Sequence, residues 1–181
     1  MIGDWSNPTY IISQMFIVIG FTFFGITYFA KNRTKQLWNI IACNIFVGIG
    51  YMLLGAYIAV CMSAIGIVRD STSAIINKYQ LSQNTRTSYF LLALWLILPS
   101  IAAIFTYDGW HSLLAYIATV IFVVSIWQKN QFIYRLMGIP MLILWTIYQI
   151  VIANVAGIFF ESAILISAII GLISYIKSNK S

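Results

Sequence analysis

Five amide side chains stand inside long apolar runs of this chain. Amides donate and accept hydrogen bonds, so amides that face a shared cavity would bind sugars, nucleosides or amides without coupling to an ion. Trp145 lies one helical turn before Gln149 and Tyr148 lies beside it, so an aromatic ring would stack on a flat solute while the amide binds its edge. Alternatively, each amide holds two helices together through a hydrogen bond worth about 0.6 kcal/mol. The five amides are Gln14, Asn39, Asn44, Gln149 and Asn154.

Two charged residues also fall inside apolar runs. Glu161 would bind a cationic group or a proton near the outer surface of a membrane; alternatively, it is a headgroup-level carboxylate that the dipole of a helix N-terminus favours. Arg69 would close an inner gate or hold an anionic solute; alternatively, its long stem lets the guanidinium reach the lipid headgroups, paired with the adjacent Asp70. Ionisable residues inside a bilayer are costly, which makes both residues candidates for a solute pathway.

The reactive groups of the chain predict neither an enzyme nor a metal site. The chain has one histidine and four acidic residues, and no two of the acids have a spacing that suits acid–base catalysis. No glycine-rich phosphate loop and no cysteine–histidine cluster is present, so we expect no metal and no cofactor. His111 is predicted to be an interfacial residue rather than a ligand or a proton relay.

The composition defines the broad class. Hydrophobic residues make up 61% of the chain and charged residues 8%, and the mean hydropathy is +0.92. Soluble domains carry about 25% charged residues, so lipid must cover much of this surface and the chain is predicted to be an integral membrane protein. The net charge of +6 is scattered in short clusters without the basic patch and aromatic residues of a nucleic-acid surface. We therefore expect the lipid bilayer as a partner and no nucleic acid.

The apolar runs predict seven membrane-crossing helices. A crossing needs about 20 apolar residues, so the charge-free run from residue 37 to residue 68 is too long for one helix, and a break is predicted at Gly55. The third helix then begins at Ala56 and continues past Arg69. The predicted helices span residues 9–30, 37–54, 56–76, 89–107, 112–128, 132–154 and 157–176.

The charges fit this number of crossings. Cytoplasmic segments collect Lys and Arg, and with seven helices all ten basic residues fall on one side of the membrane. Asp4, Asp108 and Glu161 fall on the other side, and Asp70 alone lies among the basic residues. Adding or removing one internal helix would break this segregation. The N-terminus is therefore predicted outside and the C-terminus inside.

Weak internal similarity predicts two three-helix repeats of the same orientation. Residues 9–77 form the first, residues 112–176 form the second, and the helix at residues 88–107 links them within a single membrane domain. An offset of 98 residues matches Phe24 to Phe122 and Lys31 to Lys129, and an offset of 104 matches residues 63–65 to residues 167–169. The second offset places Glu161 opposite Tyr57. Parallel repeats occur in transporters, with the binding site between them.

Two segments resemble the YgjV family of bacterial inner-membrane proteins. "GYMLLGAYIAVCMSAIGIVR" carries a turn of LLG-x-Y type before a helix, and "LWTIYQIVIANVAGIFFESAILISAIIGLISYI" carries a Trp before a polar position and a Glu early in the last helix. The resemblance covers nearly the whole chain. It implies a multi-pass protein of the bacterial cytoplasmic membrane, and it implies no particular biochemical activity.

More remotely, the three-plus-one-plus-three layout resembles the SWEET sugar carriers and the PnuC vitamin-precursor carriers, which implies facilitated diffusion of a small solute. Unlike the SWEETs, this chain has no Pro-Gln pair in its first and fifth helices. The alternative is a structural or interaction protein that transports nothing. In the carrier, Arg69 is predicted to act at the inner gate, and the predicted solute-binding residues are Asn39, Asn44, Tyr57, Trp145, Tyr148, Gln149 and Glu161.

Overall fold

The computed structural model describes residues 5–27, 33–78, 85–126, 128 and 130–178, which form seven α-helices and no strand. The helices are α1 Pro8–Thr27, α2 Arg33–Leu53, α3 Tyr57–Lys78, α4 Thr85–Phe105, α5 Trp110–Ile126, α6 Gln131–Val151 and α7 Val155–Ser178. Five of them, α1, α2, α3, α6 and α7, are long and apolar enough to cross a membrane, while α4 and α5 contain shorter apolar stretches. The predicted all-helical membrane fold is confirmed.

The surface of the bundle is apolar and polar side chains lie inside it. Ile104 and Phe105 are 76% and 84% exposed, whereas Gln149 and Asn154 are fully buried. Soluble proteins rarely expose large contiguous apolar patches. The arrangement suits a protein whose surroundings are lipid, because lipid offers polar groups no hydrogen-bond partner.

The packing of the helices divides them into two groups of three, with α4 outside both groups. Helix α1 packs on α2 and α2 on α3; likewise α5 packs on α6 and α6 on α7. These two groups of three meet twice, where α1 packs on α7 and where α3 packs on α5. Helix α4 packs on α3 and α5. Exchanging α1–α3 for α5–α7 leaves the contacts among these six helices unchanged, whereas, within the described residues, α4 contacts α3 and α5 but not their counterparts α7 and α1.

The turn between α2 and α3 has the hydrogen bonds of a Schellman motif. The Gly55 N–H donates to the Met52 carbonyl at 3.1 Å, and the Ala56 N–H donates to the Tyr51 carbonyl at 3.0 Å. Gly55 has φ +71°, a left-handed conformation that glycine adopts without steric cost. The break predicted at Gly55 is confirmed.

The turn between α6 and α7 repeats this geometry. The Ala153 N–H donates to the Ile150 carbonyl at 3.1 Å, and the Asn154 N–H donates to the Gln149 carbonyl at 2.9 Å. Ala153 has φ +54°, which costs a residue with a Cβ roughly 1–2 kcal/mol. Each of these four residues lies 98 positions after its counterpart in the turn between α2 and α3. Gln149, for example, corresponds to Tyr51.

The common offset extends into the helices that follow. Helices α2 and α6 are both 21 residues long, and α3 and α7 both start directly after their turns. At the beginning of α7, the offset is therefore 98 and not the 104 that the sequence comparison used. Glu161 consequently corresponds to Ser63 and not to Tyr57.

Helix boundaries differ from the predictions at one functional position. Helix α3 continues past Arg69 to Lys78, as predicted. The prediction that the sixth helix extends to Asn154 is wrong, because α6 ends at Val151 and the Schellman turn places Asn154 directly before α7.

The membrane orientation and the repeat boundaries stay predictions. Several of the charges behind them lie outside the described residues: Asp4, Lys31, Lys129 and Lys180.

Gly20 sets how closely α1 approaches α2. A Cβ at Gly20 would lie 2.5 Å from Cγ2 of Val47 and 3.0 Å from the backbone oxygen of Cys43. We expect Gly20→Ala to lower the free energy of unfolding by about 1–3 kcal/mol, because the added methyl overpacks the contact. Thermal unfolding in detergent measures the effect.

Gly25→Ala is the matched control on the same helix, because no atom lies within 4 Å of a Cβ at this position. Alanine is the better helix former, so the melting temperature of this variant should equal or exceed that of the wild type. Equal melting temperatures for the two variants would contradict the close approach of α1 to α2.

Candidate functional site

The Gln149 amide joins α6 to α2 in the interior. Its Nε2 donates to the Tyr51 hydroxyl at 2.6 Å, and the two side chains are 0% and 3% exposed. These residues hold equivalent positions in the two Schellman turns, so each side chain contacts its own counterpart. Within the described residues, α2 and α6 have no direct backbone packing. The hydrogen bond therefore spans the interior between the two groups of helices.

Asn154 forms the N-cap of α7. Its Oδ1 accepts a hydrogen bond from the backbone N–H of Gly157 at 3.1 Å, the bond that an N-cap side chain makes. Its Nδ2 donates to Oε1 of Gln149 at 2.9 Å. Gly157 is required for this contact, because a Cβ there would lie 2.7 Å from Cδ of Gln149. The cap of α7 is thus coupled to the bond between α6 and α2.

Helix α1 completes the hydrogen bonding at this turn. Oε1 of Gln14 accepts from the backbone N–H of Ala156 at 2.9 Å, and its Nε2 donates to Oγ of Ser13 at 3.3 Å. The Tyr10 hydroxyl donates to the carbonyl of Ala153 at 2.8 Å. The first turn of α7 and the strained residue before it are therefore held by side chains of α1.

Arg69 forms an ion pair that is largely buried. Its Nε and Nη2 donate to the two carboxylate oxygens of Asp70 at 2.9 and 3.1 Å, and the side chains are 13% and 8% exposed. Nδ2 of Asn44 donates to the same carboxylate at 3.4 Å. The guanidinium lies over the ring of Phe122 on α5, 4.8 Å from its centroid, in cation–π geometry. Side chains of α2, α3 and α5 therefore contact this arginine or its partner.

Glu161 is an acidic side chain without a partner among the described residues. It lies in the second turn of α7 and is partly buried, and it makes no hydrogen bond or ion pair with a described residue. Cys43 and Tyr51 of α2 are within electrostatic range of it. An unpaired carboxylate inside a membrane helix is costly. Glu161 is therefore available to a cationic or hydrogen-bond-donating group.

Tyr148 carries a buried hydroxyl with no hydrogen-bond partner among the described residues. Its ring packs edge-on against Trp145, with centroids 5.6 Å apart, and lies 6.4 Å from the ring of His111. The backbone N–H of Ala59 is directed at the hydroxyl oxygen but does not reach full hydrogen-bond geometry. A buried polar group without a partner costs about 1–3 kcal/mol, so this hydroxyl is available to a ligand.

Two of the residues predicted to bind a solute lie away from the others. Asn39 precedes Tyr51 by about 18 Å along α2, at 1.5 Å per residue, and makes no hydrogen bond to a described residue. Tyr57 is 62% exposed at the start of α3. The residues that do meet around the α6–α7 turn are Tyr10, Gln14, Tyr51, Tyr148, Gln149 and Asn154.

Three residues of this site were not predicted from the sequence: Tyr51, Tyr10 and Gly157. Nothing in their local sequence separates the two tyrosines from the chain's other nine. A signal for Tyr51 does exist, because the offset of 98 residues, applied to Gln149, leads directly to it. Gly157 follows Asn154 at the spacing of an N-cap contact, which is recognisable once the start of α7 is known.

The fold and its buried polar network define a multi-pass α-helical membrane protein. Residues 11–179 match the family Imp-YgjV, described as a bacterial inner membrane protein. The chain belongs to this family, which confirms the resemblance seen in the sequence, and it is a multi-pass protein of the bacterial inner membrane. No match was found among curated proteins or among solved structures.

The hydrogen bond between Tyr51 and Gln149 can be tested by removing one hydroxyl. We expect Tyr51→Phe to lower the free energy of unfolding by about 1–2 kcal/mol, since the Gln149 Nε2 is left buried without an acceptor. Thermal or denaturant unfolding in detergent measures the loss.

Tyr57→Phe is the matched control, because the Tyr57 side chain is exposed. Its unfolding should match that of the wild type. If Tyr51→Phe also unfolds like the wild type, the interior bond contributes nothing to stability and its role here is refuted.

Proposed function

We propose that this protein is a small-solute membrane carrier of SWEET/PnuC-like type. In this proposal, α1–α3 and α5–α7 are two parallel halves, α4 is the inverting linker, and facilitated diffusion proceeds by rocking of one half against the other. The solute is a small polar or ring-containing metabolite that carries no net charge. It binds between the halves.

The single observation that carries the proposal is the shared geometry of the two halves. Their turns repeat at 98 residues, and the contacts among the six helices of the two halves, α4 apart, are unchanged when the halves are exchanged. Tyr51 contacts its own counterpart, Gln149. In an arrangement with twofold symmetry, a residue that touches its counterpart lies at the symmetry axis. A pivot at this bond would let each half rock without breaking its own packing.

The contacts between the halves support a gated pathway. Phe21 of α1 stacks on Phe160 of α7 with centroids 4.9 Å apart. On the other side, Arg69 of α3 lies over Phe122 of α5. Parting either contact would open a passage between the halves, and the second is where we place the inner gate.

The side chains without partners are the candidates to bind solute. Glu161 and Tyr148 have polar groups without a hydrogen-bond partner in the part of the chain that the structure describes, and Trp145 supplies a ring beside Tyr148. Gln149 and Asn154 are fully buried and engaged with each other, so in this proposal they hold the pivot and reach solute only if the halves separate. Asn44 supports the Arg69–Asp70 pair.

The alternative is a membrane protein that transports nothing and has a structural or interaction role. The hydrogen-bonded amides favour it, because Asn154 donates to Gln149 and Gln14 accepts from the backbone N–H of Ala156 in the interior. A protein of this kind needs no solute site. This alternative does not explain why Glu161 and Tyr148 carry polar groups that have no partner among the described residues.

Uptake into proteoliposomes across a panel of nucleosides, vitamins and sugars tests the carrier. We expect flux of at least one compound and a thermal shift with the same compound. Glu161→Gln should lower that flux about tenfold or more, whereas Asp108→Asn, an exposed acid outside the helices, should leave it unchanged. No flux and no thermal shift with any compound would leave the structural role as the better account.

Cross-linking tests the rocking of the halves. In a chain with Cys43 and Cys61 replaced by Ala, a short bismaleimide between Phe21→Cys and Phe160→Cys should abolish flux, because it ties α1 to α7. Labelling of each single-cysteine variant with a monofunctional maleimide is the control for simple blockage.

A second cross-link, within one half, is the matched control. Phe23 and Phe46 stack between α1 and α2 with centroids 5.5 Å apart, so joining Phe23→Cys to Phe46→Cys should preserve most of the flux. Equal loss of flux from both cross-links would contradict rigid-body rocking.

A further inference from the structure

Glu161 lies on the face of α7 that points into the bundle. Gly157, one helical turn earlier, is on the same face, and a Cβ there would lie 2.7 Å from Cδ of Gln149. Phe160 and Ile164, on either side of Glu161, pack against the buried core. The helical spacing of these positions therefore directs the Glu161 carboxyl toward the interior.

A buried face of α2 lies opposite this part of α7. Cys43, Val47 and Tyr51 are spaced four residues apart and are 8%, 6% and 3% exposed, so they form one face of the helix. Tyr51 accepts from Gln149 at the point where α7 begins. One turn of α2 leads from that point to Val47, and one turn of α7 leads to Glu161, each about 6 Å away. The electrostatic influence of Glu161 on Cys43 and Tyr51 agrees with this placement.

The carboxyl lies at a depth where lipid surrounds the bundle. Helix α7 has 24 residues and is about 36 Å long, compared with about 30 Å for the hydrocarbon core of a bilayer. Glu161 is about 9 Å from the first residue of α7, which is inside the apolar layer when the helix crosses it centrally. An ionised carboxyl at this depth is costly unless a cation pairs with it.

No described side chain supplies that cation. Arg135, the one basic residue of α6, donates to the Gly171 carbonyl at 3.1 Å, ten positions beyond Glu161 and about 15 Å along α7. Lys177 lies in the last turn of α7. The other titratable groups on the elements around Glu161 are phenols and one thiol: Tyr10 of α1, Cys43 and Tyr51 of α2, and Tyr134 and Tyr148 of α6.

We propose that Glu161 is a proton-binding site, whose carboxyl holds a proton while α1 and α7 are in contact and releases it to solution when they part. The contact is the stack of Phe21 on Phe160, the residue before Glu161, with ring centroids 4.9 Å apart. Rings this close leave no room for an organic cation between them, and the described residues contain no cluster of three metal-ligating side chains. The link to the parting of α1 and α7 rests on the proposed carrier function, whereas proton binding itself does not.

Dicyclohexylcarbodiimide is the probe, because it modifies a carboxylic acid that carries a proton and is shielded from water. The proton moves to a carbodiimide nitrogen, the acid oxygen bonds to the central carbon, and transfer of the acyl group to nitrogen leaves a stable N-acylurea. Mass spectrometry of the purified protein labelled in detergent should place this adduct at Glu161, with labelling that falls about fivefold or more from about pH 6 to about pH 9. Asp70, which is paired with Arg69, and the exposed Asp108 should stay unmodified.

The melting temperature is an independent measurement of the same proton. A carboxyl that has lost its proton must reach water, so ionisation favours the unfolded state. In a chain with Cys43 and Cys61 replaced by Ala, the melting temperature should fall by several degrees over the same pH range. Adding Glu161→Gln, which cannot ionise, should remove most of this fall. Carbodiimide labelling decides the question if Glu161→Gln fails to fold.

Two phenylalanine variants test the release of the proton. Phe160→Ala removes one ring from the contact between α1 and α7, so water should reach Glu161 and its labelling should fall severalfold. Phe46→Ala is the matched control, because Phe46 stacks on Phe23 within one half, with centroids 5.5 Å apart, and it should leave the labelling unchanged. Equal labelling of the two variants would overturn the link between proton release and the parting of α1 from α7.

Proton binding is overturned if no adduct forms at Glu161, if its labelling is the same at every pH, or if Glu161→Gln leaves the pH dependence of melting unchanged. The carrier function fails separately. A pH-dependent adduct without any flux in proteoliposomes refutes transport and keeps the proton site, and flux of a solute without an adduct at Glu161 refutes the proton site alone.

Discussion

The structure depends on how it satisfies the ends of helices inside a bundle that lipid surrounds. Every free backbone N–H at such an end needs a partner from the protein itself. At the start of α7 the chain meets this need with Asn154 and Gln14, and with a strained Ala153 whose carbonyl accepts from Tyr10. The cost of that left-handed residue is offset by hydrogen bonds to two side chains of α1, Tyr10 and Gln14. The α6–α7 turn is therefore the point at which α1, α2, α6 and α7 are joined.

The same constraint explains why the two halves of the molecule differ. Their turns share a backbone geometry, but only one carries the side chains that complete it. A chain that needed nothing but stability would cap both helices, since a cap contributes about 1 kcal/mol. The N-terminus of α3 has no such side-chain cap among the described residues, and the buried Tyr148 hydroxyl, which has no hydrogen-bond partner among them, lies in the other half. Glu161 of α7 adds an acceptor that has no partner among the residues the structure describes.

The amino-acid sequence predicts the elements well and the polar contacts poorly. Apolar runs of membrane-crossing length and a glycine at the α2–α3 turn defined the helices, because lipid imposes a length and Gly55 a conformation. The end of α6 escaped prediction, because its left-handed residue is Ala153 and carries no turn signal. Trp145, Tyr148 and Gln149 were recognised as a group, but the role of Tyr51 depends on a contact across 98 residues that no local pattern contains.

The parallel arrangement of the halves is the central claim, and the sidedness of Lys31 and Lys129 tests it most directly. Four helices, α2 to α5, separate these residues, so an impermeant maleimide should reach Lys31→Cys and Lys129→Cys from the same, cytoplasmic face in a chain otherwise free of cysteine. Labelling from opposite faces would mean that one of the intervening helices does not cross the membrane. The halves would then be antiparallel, and the account of a shared pivot would be wrong.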